Sequence, residues 1–229
     1  MHQEHCAMKV TTDACIQGAW TPLFSGVQNI LDIGAGTGLL SLMLAQRSGD
    51  ASIDAVELDI NAATQAKINF KDSAWSNRLN VIQGDVTQYR PVKKYDLIIS
   101  NPPFFANSLL SDKQNKNMAR HTLSLSYSDL INSIIANFGD NGYASVLLPA
   151  DVYIVWKQIM SEHGLTELAR LSVRHTPDAV VKRVITVFGL NAGATSKDEL
   201  LTIKDADGAY TREFTSLLAP YYLDLQESK

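Results

Sequence analysis

An α/β architecture, with a seven-stranded, mostly parallel sheet, an antiparallel closing strand and helices on both faces, is predicted by three observations. Short apolar or β-branched runs alternate with helix-like patterns from residue 29 to residue 190, the organisation of successive βα units. The first run turns through three closely spaced glycines, Gly34-Ala35-Gly36-Thr37-Gly38, straight into a helix. The fourth ends in Asn101-Pro102-Pro103-Phe104-Phe105, a rigid exit at the edge where open α/β sheets bind ligands.

Asn29 to Ile33 reads as strand one, and Leu39 to Arg47 as an apolar helix closed by Gly49. Ser52 to Val56 forms strand two, after which Asn61 caps a helix carrying Ala62, Ala63, Ala66 and Ile68. Leu79 to Ile82 and Tyr95 to Ile99 are strands three and four. The helix Ser128 to Phe138 places Leu130, Ile131, Ile134, Ile135 and Phe138 on one face, stops at Gly139 and leads to strand five at Tyr143 to Leu148. A helix near Asp151 to Glu162 precedes Leu165 to Val173 and Arg183 to Leu190, which fit an antiparallel closing pair. Residues 192 to 198 read as a linker, and Asp205-Ala206-Asp207-Gly208 as a hairpin turn before a small C-terminal element. One domain over 1–229 is expected, with a lid or substrate segment at 1–27, a core at 28–190 and an extension at 191–229.

Hydrophobic residues make up 45% of the 229 and charged residues 19%, enough apolar side chain for a sizeable core. A formal charge of -4 gives no global basic field, so any nucleic-acid contact has to come from local lysines and arginines. Cys6 and Cys15 form no disulfide framework, which points to a reducing, cytoplasmic setting. His2, His5 and Cys6 are followed by no second ligand pair at zinc spacing, so no metal is expected. The segment MHQEHCAMKV lacks an apolar signal core, and no apolar run approaches the ~18 residues of a membrane span, so neither export nor insertion is expected.

The glycine spacing is G-x-G-x-G preceded by Asp32, whereas a dinucleotide site wants G-x-G-x-x-G. The run LDIGAGTGLLSLMLAQ resembles the signature loop of Rossmann-like methyltransferases that bind S-adenosylmethionine. That resemblance implies a Rossmann-like fold, S-adenosylmethionine as cofactor with S-adenosylhomocysteine as product, and Asp32, Gly34, Gly36 and Gly38 among the cofactor contacts. Glu57, 23 residues after Gly34 at the tip of strand two, is placed to accept from both ribose hydroxyls, with Asp59 as the nearby competitor. Asp85, in Gly84-Asp85-Val86 after strand three, is placed to accept from the adenine amino group of the cofactor, or is a solvated turn residue.

Asn101, Pro102 and the aromatic pair suit a planar amine. The prolines leave carbonyls free to accept, Asn101 adds a side-chain carbonyl, and Phe104 or Phe105 offers a stacking face. An adenine amino group is a poor nucleophile, because its lone pair is delocalised into the ring. If Asn101 Oδ1 and the Pro102 carbonyl accept its two N–H bonds, the nitrogen can pyramidalise toward the methyl donor and release its proton after transfer. Asn-Pro-Pro-Phe resembles the signature of amino-methyltransferases acting on nucleic-acid bases or on glutamine amides. The bland alternative is a structural Pro-Pro strand exit beside core phenylalanines.

The segment MKVTTDACIQGAW, with its lysine, Thr-Asp pair and Gly-x-Trp, resembles the bacterial transfer-RNA adenine N6-methyltransferases that modify position 37 of a valine tRNA. Asn-Pro-Pro-Phe-Phe agrees, as do Ala119-Arg120-His121-Thr122, Ser124-Leu125-Ser126 and the C-terminal DGAYTREF and PYYL. The likeness covers nearly the whole chain, most strongly from residue 8 to about 148, and departs at Thr11, where the family's segment has glycine. It implies tRNA as substrate, with no DNA, membrane or obligate protein partner. Lys9, Thr12, Asp13 and Trp20 would then lie against the cofactor or the entering base, the other reading being a packed lid with Trp20 in the core. Lys113, Lys116, Arg120 and His121 on the loop after the motif, with Arg174, His175, Lys182 and Arg183 near the last strands, are the candidate RNA contacts. Lys93 and Lys94 read as merely solvated.

Two other enzymes could use the same site, a protein glutamine N5-methyltransferase and a ribosomal-RNA guanine N2-methyltransferase. Outside catalysis, a cofactor-binding RNA chaperone is the remaining reading, and an intact Asn101 argues against it. Small-molecule methylation fits least, because oxygen-directed enzymes do not need the Asn-Pro-Pro carbonyls.

Overall fold

A computed structural model describes residues 10–103, 125–190 and 196–223. Its sheet runs β1 (Asn29–Ile33), β2 (Ser52–Glu57), β3 (Leu79–Gln83), β4 (Tyr95–Ser100), β5 (Phe138–Pro149), β6 (Thr166–Arg174), β7 (Arg183–Gly189) and β8 (Lys197–Thr202). The helices are α1 (Thr12–Trp20), α2 (Leu39–Arg47), α3 (Ile60–Lys71), α4 (Tyr127–Asn137), α5 (Ala150–Glu162) and α6 (Arg212–Leu218). The spatial order is β3-β2-β1-β4-β5-β7-β6-β8, with β7 antiparallel to both its neighbours. The closing antiparallel strand expected from the sequence is therefore present.

Three expectations need correction. The described sheet has eight strands, not seven. Lys197 and Asp198, assigned to a linker, open β8, which pairs in parallel with β6. The run KDELLT has one buried residue, Leu201, because it is an outer strand whose charges face water. The cap of α3 is Asp59, whose side chain accepts from the Ala62 N–H at 2.8 Å; Asn61, the expected cap, lies inside the first turn. The hairpin turn at Asp205 to Gly208 is present, closed by a bridge between Lys204 and Tyr210.

Strand order reverses between β1 and β4, so a crevice opens beyond their carboxyl ends. The register puts Ile33 beside Ser100, and the Ser100 hydroxyl donates to the Ile33 carbonyl at 2.9 Å. Gly34 and Asn101 each follow one member of that pair, so the glycine loop and the Asn-Pro-Pro motif leave the sheet side by side. The apolar strand residues Leu31, Ile33, Ile98, Val146 and Leu148 pack against Leu130, Ile131 and Ile134 of α4 on one face, which fixes the strand ends rigidly.

At the opposite end of the strands, Asp54 is 6% exposed and accepts from Tyr95 at 2.6 Å, from Lys93 at 2.8 Å and from Asn80 at 3.1 Å. Lys93 is therefore ion-paired instead of merely solvated. Burial would raise the Asp54 pKa, but these donors outweigh it and hold the carboxyl below its ordinary value. Such a group contributes stability above the unfolded-state pKa and loses it as pH falls through the folded one. Tyr95→Phe removes one donor from this buried carboxylate and is expected to cost about 1–3 kcal/mol at pH 7. Urea midpoints would show the loss, which shrinks once acid protonates Asp54.

Candidate active site

Asp32 is fully buried, and one of its oxygens does the work of a helix cap. Gly38, at the N-cap of α2, has no side chain to offer, so Asp32 Oδ2 accepts from the Ser41 N–H at 3.1 Å and the Ser41 hydroxyl at 2.7 Å. Its other oxygen, Oδ1, is buried with no hydrogen-bond partner. Burial pushes the carboxyl up to about 7; the Ser41 bonds pull down and the Glu57 charge adds a further rise. An unsatisfied buried acceptor at a strand end calls for a donor from a ligand.

The glycines serve two purposes. Gly36 has φ 56, and a Cβ added to Gly34 or Gly36 would meet nothing within 4 Å, so that side of the loop is open for a ligand to approach the backbone. Gly38, with φ 82, is held by packing, because a Cβ there would overlap the Phe70 ring of α3. Asn69 on the same helix donates to the Thr37 carbonyl at 2.9 Å and fixes the loop. Gly38→Ala is thus expected to destabilise the fold by about 2–4 kcal/mol through strain and overpacking, measured as a lowered melting temperature without cofactor.

Glu57 closes the loop from β2, its Oε2 accepting from the Gly36 N–H at 2.7 Å and its Oε1 from the Asp59 N–H at 2.9 Å. Each oxygen retains a second lone pair, enough for a pair of hydroxyls. Asp59 is engaged as the α3 cap. Asp85 is exposed at the tip of β3, with Oδ1 accepting from the Thr87 N–H at 2.8 Å.

Asn101 has a buried Oδ1 without a partner, and Pro102 is buried beside it. Phe104, Phe105, Lys113, Lys116, Arg120, His121 and, at the N-terminus, Lys9 lie outside the described residues. Thr12, the exposed first residue of α1, shares a hydrogen bond with Tyr222. Trp20 is partly buried. It sits at the far end of α1, about 12 Å along the axis from Thr12, where its indole N–H donates to Glu199 of β8 at 2.7 Å. Its ring also packs against the apolar clusters beside α1, the placement expected of the packed-lid reading.

Arg174 and Arg183 both lie at the carboxyl edge, at the end of β6 and the start of β7, with the exposed His175 and Lys182 on the loop between them. Arg174 donates from Nε to Thr202 at 2.9 Å, and Arg183 pairs with Asp13 at 3.1 Å. The sequence reading missed Ser41 and Gln17. Gln17 is fully buried and donates from Nε2 to the Ser100 and Ser145 carbonyls at 3.0 and 3.3 Å. A serine three residues after Gly38 could have signalled the first; nothing local marks the second.

The methyltransferase small domain matches residues 22–126. A relative from Bacteroides thetaiotaomicron is 41% identical over 97% of this chain and 94% of its own length, and carries the name tRNA1(Val) (adenine(37)-N6)-methyltransferase. The chain belongs to the tRNA1(Val) (adenine(37)-N6)-methyltransferase family. Members from Klebsiella pneumoniae, 40% identical over 96% of this chain and 90% of the relative, and from Trichodesmium erythraeum, 39% identical over 97% and 94%, carry the same name. The family's fold recurs in a predicted O-methyltransferase from Agrobacterium tumefaciens, 18% identical with a TM-score of 0.67 over 90% of this chain and 94% of that one. It recurs also in a glycopeptide N-methyltransferase complexed with S-adenosylmethionine, 10% identical with a TM-score of 0.54 over 79% and 87%.

Proposed function

We propose that this chain methylates N6 of adenine 37 in tRNA1(Val), with S-adenosylmethionine as methyl donor and Asn101 as the residue that orients the amine. The carrying observation is the buried, unpartnered Asn101 Oδ1 at the strand-order reversal, one residue beyond the Ile33–Ser100 pair that aligns it with the glycine loop. The cofactor, when bound, supplies a methyl group on a positively charged sulfur.

Asp32 Oδ1 and the open backbone of Gly34 and Gly36 fit the amino-acid end of that cofactor, Glu57 its ribose hydroxyls and Asp85 its adenine. Asn101 Oδ1 and the Pro102 carbonyl accept the two N–H bonds of the target amine. They draw its lone pair out of the ring plane and hold the nitrogen against the methyl donor, a geometric contribution that replaces a strong base. After transfer the surplus proton leaves the nitrogen through the same acceptors to water. Phe104 or Phe105, next in the sequence, supplies the stacking face for an extruded base. Arg174, His175 and Lys182 lie on the same carboxyl edge of the sheet, farther along at β6 and β7, and suit backbone phosphates, so that a negatively charged chain keeps a local cationic stretch for RNA.

Among the described residues no helix is long and apolar enough to cross a membrane, and no cluster of His, Cys, Asp and Glu could hold a metal ion. Incubation with methyl-labelled cofactor and total tRNA lacking the modification, followed by nucleoside mass spectrometry, is expected to give labelled N6-methyladenosine. Label in a release-factor glutamine and none in tRNA would assign the site to the amide instead.

A further inference from the structure

β4, β5 and β7 are adjacent in the sheet, and one face of α1 engages all three. Gln17 donates to the Ser100 carbonyl of β4 and the Ser145 carbonyl of β5. Asp13 lies one helical turn earlier on the same face, and its Oδ2 meets Arg183 Nε of β7 at 3.1 Å. The two side chains are 29% and 30% exposed, so water and salt screen the pair less than an open surface pair. Asp13 also lies in the first turn of α1, where a negative charge is favoured. The Ser100 carbonyl belongs to the peptide unit that carries the Asn101 N–H, so the Gln17 bond acts on the backbone from which Asn101 projects.

We infer that Asp13 and Arg183 form a latch that seats α1 on the sheet and, through Gln17, positions Asn101; Arg183 then serves the protein's own helix and not an RNA phosphate. This rests on the role of Asn101 given above. Asp13, Gln17 and Arg183 are positioning residues in this scheme, and none needs to touch the substrate. A displacement of about 1 Å at a reacting group can cost up to ~100-fold in rate, so loosening a helix bonded to the adjacent peptide is felt in the chemical step.

The test combines hydrogen–deuterium exchange over residues 12–20 with single-turnover methyl transfer and tRNA affinity at several salt concentrations. The variants are Asp13→Asn, Arg183→Met, Arg183→Lys and the swapped pair D13R/R183D. Asp13→Asn and Arg183→Met are expected to speed exchange in α1 and slow transfer, each about tenfold, with tRNA affinity and its salt slope unchanged. Arg183→Lys keeps the charge and holds both within about threefold of the parent, and the swapped pair recovers much of both losses. Weaker tRNA binding in Arg183→Met, with a salt slope reduced by about one and no change in Asp13→Asn, assigns Arg183 to a phosphate and overturns the latch. A parent protein that makes no N6-methyladenosine overturns the proposed function instead, and exchange still tests the latch.

Discussion

Asn101→Ala is expected to slow methyl transfer by about 10²–10³-fold while the dissociation constant for S-adenosylmethionine changes by less than about threefold. The asymmetry follows from where the Asn101 oxygen lies. Its Oδ1 is buried and unpartnered, so it has no structural bond to lose. Removing it leaves the Pro102 carbonyl to hold one N–H of the amine, and the nitrogen is no longer bent out of its ring plane. Asn101→Asp retains an acceptor and is expected to keep part of the rate. Single-turnover kinetics and calorimetric cofactor titration separate the two quantities, and a parallel collapse of cofactor binding in Asn101→Ala would remove Asn101 from its assigned role.

For Asp32→Asn the expected effects on stability and binding have opposite signs. The folded protein holds the Asp32 proton up to about pH 7, whereas the unfolded chain loses it near the ordinary value of 3.8. Stability without cofactor therefore falls as pH rises between those two values and levels off above them, by up to ~4 kcal/mol. Asparagine has no such ionisation, so the variant should unfold at a higher urea concentration than the parent at pH 8 and show no advantage near pH 4. On the proposed role, its cofactor dissociation constant at pH 8, where the parent's Asp32 is ionised, should rise about 10–100-fold, because a charged acceptor for the cofactor's amino group is lost. Unaltered cofactor affinity, or a stability difference independent of pH, would count against Asp32 as a cofactor ligand.

β1 and α2 were legible to the residue because their signals are local: a β-branched run, three glycines, then an apolar helix closed at Gly49. Asp32, Glu57 and Asn101 could be placed from sequence because strand ends on a parallel sheet share one edge. β8 was not legible, since an outer strand with charged side chains carries no apolar alternation. Trp20 could not be placed for a different reason. From sequence it lies either against the cofactor or base or in a packed lid, and only the fold brings Glu199 to its indole. The division of labour among the glycines also needed the fold, because Phe70 approaches Gly38 from 32 residues away. Gln17 and the Asp13–Arg183 pair depend on contacts that no local pattern encodes.

The most direct test of the central claim uses purified tRNA1(Val) transcripts carrying either adenine or guanine at position 37, methyl-labelled S-adenosylmethionine and the intact protein. Labelled N6-methyladenosine in the adenine transcript, absent from the guanine one and lost with Asn101→Ala, is the predicted result. Equal labelling of both transcripts, or labelling that survives Asn101→Ala, would contradict it.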